Sequence, residues 1–127
     1  MMAKAKRTRR TTRATPRVML ARIRAFCLAL PGVSEKPSHG APTFFCRGKV
    51  LAYFVDNHHG DGRLAVWCAA PVGAQAMWVD SNPEHYFVPP YVGYRGWIGV
   101  RLDRDARWSE IAAVLESAHA SLQGRRR

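Results

Sequence analysis

"TFFCRGKVLAYFV", residues 43–55, is the stretch whose reading decides the fold. Two strand-like runs, "TFFCR" and "VLAYFV", lie either side of Gly48-Lys49. A two-residue spacing between such runs predicts a tight hairpin. Strands joined by so short a turn can only pair antiparallel.

Downstream, "DNHHGDG" (56–62) reads as a longer polar turn and "RLAVWC" (63–68) as a third strand. A helical segment over 72–80 ends in the turn signal "DSNP". "HYFV" (85–88) is a short strand closed by Pro89-Pro90, neither of which can donate to a ladder. "RGWIGVRL" (95–102) alternates strictly, with Ile98, Val100 and Leu102 on one side and Trp97, Gly99 and Arg101 on the other. Upstream, "SEKPSHGAP" (34–42) reads as loop. Leu20, Ile23, Cys27 and Leu30 recur at helical spacing over 17–30, with Arg22 and Arg24 turned outward and Pro31-Gly32 as the stop. Pro16 suits an early helix position. A last helix carries Trp108, Ile111, Leu115, Ala118 and Leu122 along one stripe, with Asp105 as the expected N-cap. The expected order is α-β-β-β-α-β-β-α. It predicts a two-layer α+β domain, an antiparallel sheet with the helices on one face.

The 127 residues suffice for one domain with one core, and 47% apolar content with four tryptophans excludes wholesale disorder. No apolar run approaches the roughly 18 residues of a membrane span. The net charge of +11 is unevenly placed. Residues 1–24 carry nine Lys or Arg and no acid, residues 125–127 are arginines, and residues 25–124 hold eight basic and nine acidic side chains. The excess positive charge is therefore terminal. Residues 1–16 read as a disordered basic tail, 17–122 as the folded domain and 123–127 as a basic C-terminal tail. The N-terminus lacks the apolar region of a secretory signal; its Arg and Thr resemble an organellar transit segment, but a tail on a cytoplasmic protein is the simpler reading.

Cys27, Cys46 and Cys68 are widely spaced, odd in number and set in apolar runs, so buried free thiols in a reducing compartment are expected. His58 and His59 with Asp56 and Asp61 lack any metal-ligand spacing, and neighbouring turn histidines are expected to point apart, as on a solvated turn. Gly93, Gly96 and Gly99 lead into a strand rather than out of one, so they are no dinucleotide fingerprint. They permit tight turning and close packing instead. No G-x-S-x-G or paired carboxylates suggest a catalytic mechanism, and neither a cofactor nor a metal is expected.

Strand alternation makes a further prediction. If Leu64, Val66 and Cys68 face the helices, then Arg63, Ala65 and Trp67 face away, as do Trp97, Gly99 and Arg101. Phe45 and Arg47 join that set because Arg47 should not be buried. The uncovered face would interleave three aromatic rings with three guanidiniums. Such a face suits stacked bases at about 1–3 kcal/mol each, or packing on a loop, a second copy or a small aromatic or acidic ligand.

"LALPGVSE" (28–35), "HGAPTFFCRGK" (39–49), "FVPPYVGYRGWIGVRLD" (87–103) and "WSEIAAVLESAHASL" (108–122) resemble the MmcQ/YjbR family over about residues 18–122. The resemblance implies a CyaY-like, or "double wing", α+β fold and DNA binding, and it carries no catalytic residue or cofactor. The leading expectation is a non-enzymatic nucleic-acid-binding protein, for DNA rather than RNA, monomeric or homodimeric and without a membrane partner. Its contacts would come from Arg7, Arg9, Arg10 and Arg13 in the tail. Arg47, Lys49, Arg63, Trp67, Trp97 and Arg101 would supply those of the domain. The alternative is a ligand- or protein-interaction module that uses the aromatic sheet face.

Overall fold

The computed structural model describes residues 15–105 and 107–123. The expected tail residues Arg7, Arg9, Arg10 and Arg13, and residues 124–127, lie outside them. The first described element is α1 (Pro16–Leu28), in which proline occupies the first helical position and the Thr15 side chain accepts from the Val18 amide at 3.2 Å. Strands β1 (Val33–Ser38), β2 (Ala41–Cys46), β3 (Lys49–Asp56) and β4 (Leu64–Cys68) follow. Then come α2 (Ala74–Ser81), β5 (Tyr86–Phe87), β6 (Ile98–Arg101) and α3 (Trp108–Gln123). All strand pairs are antiparallel, in the order β1-β2-β3-β4-β6-β5. The α+β class and its antiparallel sheet are as expected. Among the described residues, no helix is long and apolar enough to cross a membrane.

One strand is additional. "SEKPSHGAP" (34–42) was expected as loop, yet Val33–Ser38 pairs with β2 from Val33↔Cys46 to Ser38↔Ala41. Its charges and Pro37 are what an edge strand tolerates, because one side of its backbone needs no ladder partner. The hairpin turn also sits one residue earlier than expected. Cys46 pairs with Lys49, and the turn residues are Arg47 and Gly48, both left-handed (φ 50 and 86). Two consecutive positive φ angles match the twist of a two-residue hairpin. Leu51 is an extra residue in β3, where the register shifts between Phe44 and Phe45.

Helices α1 and α3 cover one face. Ile23 and Cys27 of α1, with Ile111, Val114, Leu115 and Ala118 of α3, are buried in one core with Phe44, Ala52, Val66, Cys68, Ile98 and Val100. Arg24 is not turned free to solvent but holds Glu35 of β1 through two bonds of 2.6 and 2.7 Å. Those bonds keep the Glu35 carboxyl below the usual carboxylate range. Arg22 lies over the Trp108 ring at 4.4 Å. Asp105 is not the N-cap of α3. It is left-handed (φ 62), and the first turn closes on the Arg107 carbonyl, which accepts from Glu110 and Ile111.

Candidate functional site

The face turned away from α1 and α3 is built by alternation. Thr43, Tyr53, Trp67 and Gly99 are successive ladder partners across β2, β3, β4 and β6, and Phe87 of β5 continues the row. All five residues of β4 are buried, which a strand bare on one side would not be. Two segments roof this face, the turn 57–63 and the stretch 88–97.

Polar side chains of the turn satisfy its own backbone. The Asn57 carboxamide accepts from the Gly62 amide at 2.8 Å and the Asp61 carboxylate from the Arg63 amide at 2.9 Å. The Asn57 amide donates to the Arg63 carbonyl at 2.7 Å. Thus fixed, the turn lays the His58 ring edge-on to Trp67 at 4.8 Å. The second segment is held from α2, where one Gln75 amide donates to the carbonyls of Gly93 (2.9 Å) and Trp97 (2.7 Å). It brings Tyr91 to 5.8 Å from His58 and 6.5 Å from Trp67.

Between roof and sheet lies a cavity of about 480 Å³. Tyr53, Trp67 and Tyr91 supply its aromatic walls and His39, His58 and His59 its imidazoles. Ser38, Ala41, Val55 and Val92 complete it. Its volume is within the roughly 300–1,000 Å³ of small-ligand sites. A second cavity of about 220 Å³ adjoins it, sharing His39, Ala41, Val55 and His58 and adding Asp56. Three of the residues lining the larger cavity are non-glycine residues in the left-handed region: His39 (φ 55), His59 (φ 49) and Tyr91 (φ 67). Such backbone costs about 1–3 kcal/mol per residue and gathers at binding sites. Two atoms nearby are sealed from solvent without a hydrogen-bond partner among the described residues, His58 Nε2 and Trp67 Nε1. Each unmade bond costs about 1–3 kcal/mol. Strain and unsatisfied polarity thus meet at one place.

The family model described as YjbR matches residues 28–121, a span that contains the whole cavity. The chain belongs to the YjbR family. No curated protein and no solved structure matches it.

In this YjbR domain the expected site residues divide. Trp67, Trp97, Arg63 and Arg101 do share one sheet face, as alternation predicts, but that face is not open. Trp67 and Trp97 are each only 4% exposed, because the two loops cover them. Tyr53 packs between them, at 6.4 Å from Trp67 and 5.9 Å from Trp97. Arg63 lies over the Phe87 ring at 4.1 Å. Arg101 is held by Asp103 (3.0 and 3.2 Å). Burial pushes the Asp103 carboxyl up, but Arg101 and the Leu64 amide outweigh it and hold the group below its ordinary value. Phe45 is half-buried beneath Lys36 at 5.2 Å.

Arg47 and Lys49 fall elsewhere. Arg47 is a turn residue, so strand parity does not reach it. Its guanidinium spans Gln123 of α3 (2.9 Å) and the Cys46 thiol (3.5 Å), on the helix side. Lys49 is exposed opposite Cys46 at the start of β3.

The histidine turn was underestimated. Neighbouring histidines were expected to diverge, yet the His58 and His59 rings are 4.0 Å apart because His59 turns left-handed. Among the described residues no three His, Cys, Asp or Glu side chains group as metal ligands. Tyr53 and Tyr91 were not singled out at all. The usable signal was Tyr53, on the parity of Trp67 one strand away.

Proposed function

We propose that this YjbR domain is a non-catalytic binding module whose site is the histidine–aromatic cavity and whose ligand is a small planar molecule. The supporting observation is the convergence of three left-handed, non-glycine residues on a cavity walled by Tyr53, Trp67 and Tyr91. Flat rings favour offset or edge-on packing against a planar guest. The strain is tolerated because the loops are fixed from outside the cavity, by Gln75 and by the Asn57 carboxamide.

Tyr91 allows this reading to be tested without unfolding the domain, being 66% exposed with a φ of 67. Tyr91→Gly removes a left-handed side chain that costs about 1–2 kcal/mol, against about 0.5–1 kcal/mol of added glycine freedom. Its stability by urea unfolding is expected to be unchanged or higher by up to about 1 kcal/mol. Its affinity for planar aromatic probes, read by tryptophan fluorescence, is expected to fall tenfold or more. Undiminished binding would remove Tyr91, and with it the cavity, from the site.

A second reading, contact with nucleic acid, is favoured by charge placement. Six of the nine basic residues in 1–24 precede α1, and Lys36, Arg63 and Arg95 each stand over an aromatic ring of the sheet face or its roof. Phosphate contacts by the tail predict a steep fall of affinity with salt. In the full chain, Arg7, Arg9, Arg10 and Arg13→Gln together are expected to flatten the slope of log affinity against log salt by about 3–4. An unchanged slope in fluorescence anisotropy would move those contacts off the tail.

A further inference from the structure

The ionisable lining of the cavity is one-sided. Among the described residues it includes three histidines and no carboxylate. A neutral imidazole still carries one N–H. The lining therefore has donors to offer.

Three cations stand on the same side of the sheet, outside the lining. Arg95 lies 5.4 Å over Trp97, whose ring is 5.9 Å from Tyr53. Lys36 is the ladder partner of Thr43, which in turn pairs with Tyr53. Arg63 lies over Phe87, which pairs with Gly99, the partner of Trp67. Arg95 and Lys36 are thus one residue removed from a wall of the cavity, and Arg63 two. Rings beneath these cations attract but do not neutralise them. Of the nearby acids, Asp103 is engaged by Arg101, and the Asp61 carboxylate accepts the Arg63 amide. Asp56 lines the smaller cavity, not the larger one.

We infer that the ligand is a planar ring bearing an anionic group, carboxylate or phosphate, with its ring against Tyr53, Trp67 and Tyr91 and its anion toward the histidines. This rests on the binding-module reading above. A cationic guest would also find aromatic walls, but it would find no lining carboxylate and would have the three cations nearby.

Three probes share one ring and differ only in charge: 2-naphthoate, 2-naphthamide and (2-naphthyl)trimethylammonium. The full chain is titrated with each, and backbone amide signals of the turn 57–63 and of Tyr91 and Val92 are followed by NMR. The naphthoate is expected to bind at least tenfold more tightly than the amide, and the ammonium most weakly. His59→Asn, at an exposed left-handed position that asparagine accepts, is expected to cut naphthoate affinity severalfold and to weaken the amide less, narrowing the ratio between the two. Equal binding of all three, or preference for the ammonium, overturns the anionic ligand while leaving the cavity as a binding site. Failure of every probe to move those signals at millimolar concentration overturns both.

Discussion

Gly99→Val is expected to destabilise the domain by about 3 kcal/mol, toward the upper end of overpacking costs. That is a large share of the roughly 5–15 kcal/mol that holds a domain together. The cause is one cross-strand contact. Gly99 pairs with Phe87, whose ring folds over the glycine so closely that an added Cβ would meet three ring atoms at 2.4, 2.5 and 2.7 Å. Those atoms are the far edge of a side chain, which could ordinarily swing away. Here the ring is itself covered, since the Arg63 guanidinium lies 4.1 Å above it and Phe87 is only 9% exposed. Strand propensity favours valine over glycine by at most about 1 kcal/mol, too little to reverse the sign.

A double-mutant cycle isolates the contact. Phe87→Ala alone should cost about 3–5 kcal/mol, but Phe87→Ala with Gly99→Val should cost at least 1 kcal/mol less than the sum, because valine then occupies space the ring has left. Additivity to within about 0.5 kcal/mol would mean that the two residues do not clash. The substitution also bears on the cavity. Gly99 is the ladder partner of Trp67, so a displaced ring presses on the wall of the site as well as on Arg63.

What was legible in the sequence follows periodicity, and what was missed lies where periodicity ends. The hairpin, the alternation of β6 and the stripe of α3 are repeated signals, each imposed by a buried face. Pro16 at the start of α1 is a single-residue signal, but a mechanistic one, because its missing N–H is needed by no partner there. Strand β1 was missed because an edge strand with Glu35, Lys36 and Pro37 has no apolar alternation to display. Arg47 was misplaced by extending strand parity one residue into a turn. Trp67 and Trp97 were assigned the right face and the wrong exposure. Alternation states which way a side chain points, whereas its cover comes from turn 57–63 and stretch 88–97, distant aperiodic segments held by Gln75 and Asn57. Those segments close the cavity, so His58 and His59 looked like a solvated turn.

High pH offers the other large effect, and it belongs to the helix-covered core. Cys27 and Cys68 are fully buried and Tyr86 is 1% exposed. Burial, with the Glu35 charge behind it, pushes the Cys27 thiol up to about 12. Burial and the neighbouring Cys27 raise Cys68 further. Burial, then the 2.6 Å bond that the Tyr86 hydroxyl donates to Glu110, raises the phenol. All three groups therefore stay protonated in the folded chain at a pH where the unfolded chain releases its protons, near 8.5 for thiols and 10 for tyrosine. Folding binds the protons more tightly, so the stability they contribute is complete below about pH 8 and is lost as pH rises toward the folded values. Each titrating group removes about 1.4 kcal/mol per pH unit. The two thiols alone amount to about 5 kcal/mol by pH 10.5, before Tyr86 contributes. Cooperative alkaline unfolding is accordingly expected between about pH 10 and 11, followed by circular dichroism with reductant present. Urea midpoints at pH 8, 9 and 10 give the slope. Cys27→Ala with Cys68→Ala costs some packing at every pH, but it should flatten the fall from pH 9 to 10 by about 2–3 kcal/mol per unit. A slope that the double variant leaves intact would place the alkaline sensitivity outside the two thiols. A flattened one would show that this core loses stability above neutrality because its two buried thiols cannot ionise in place.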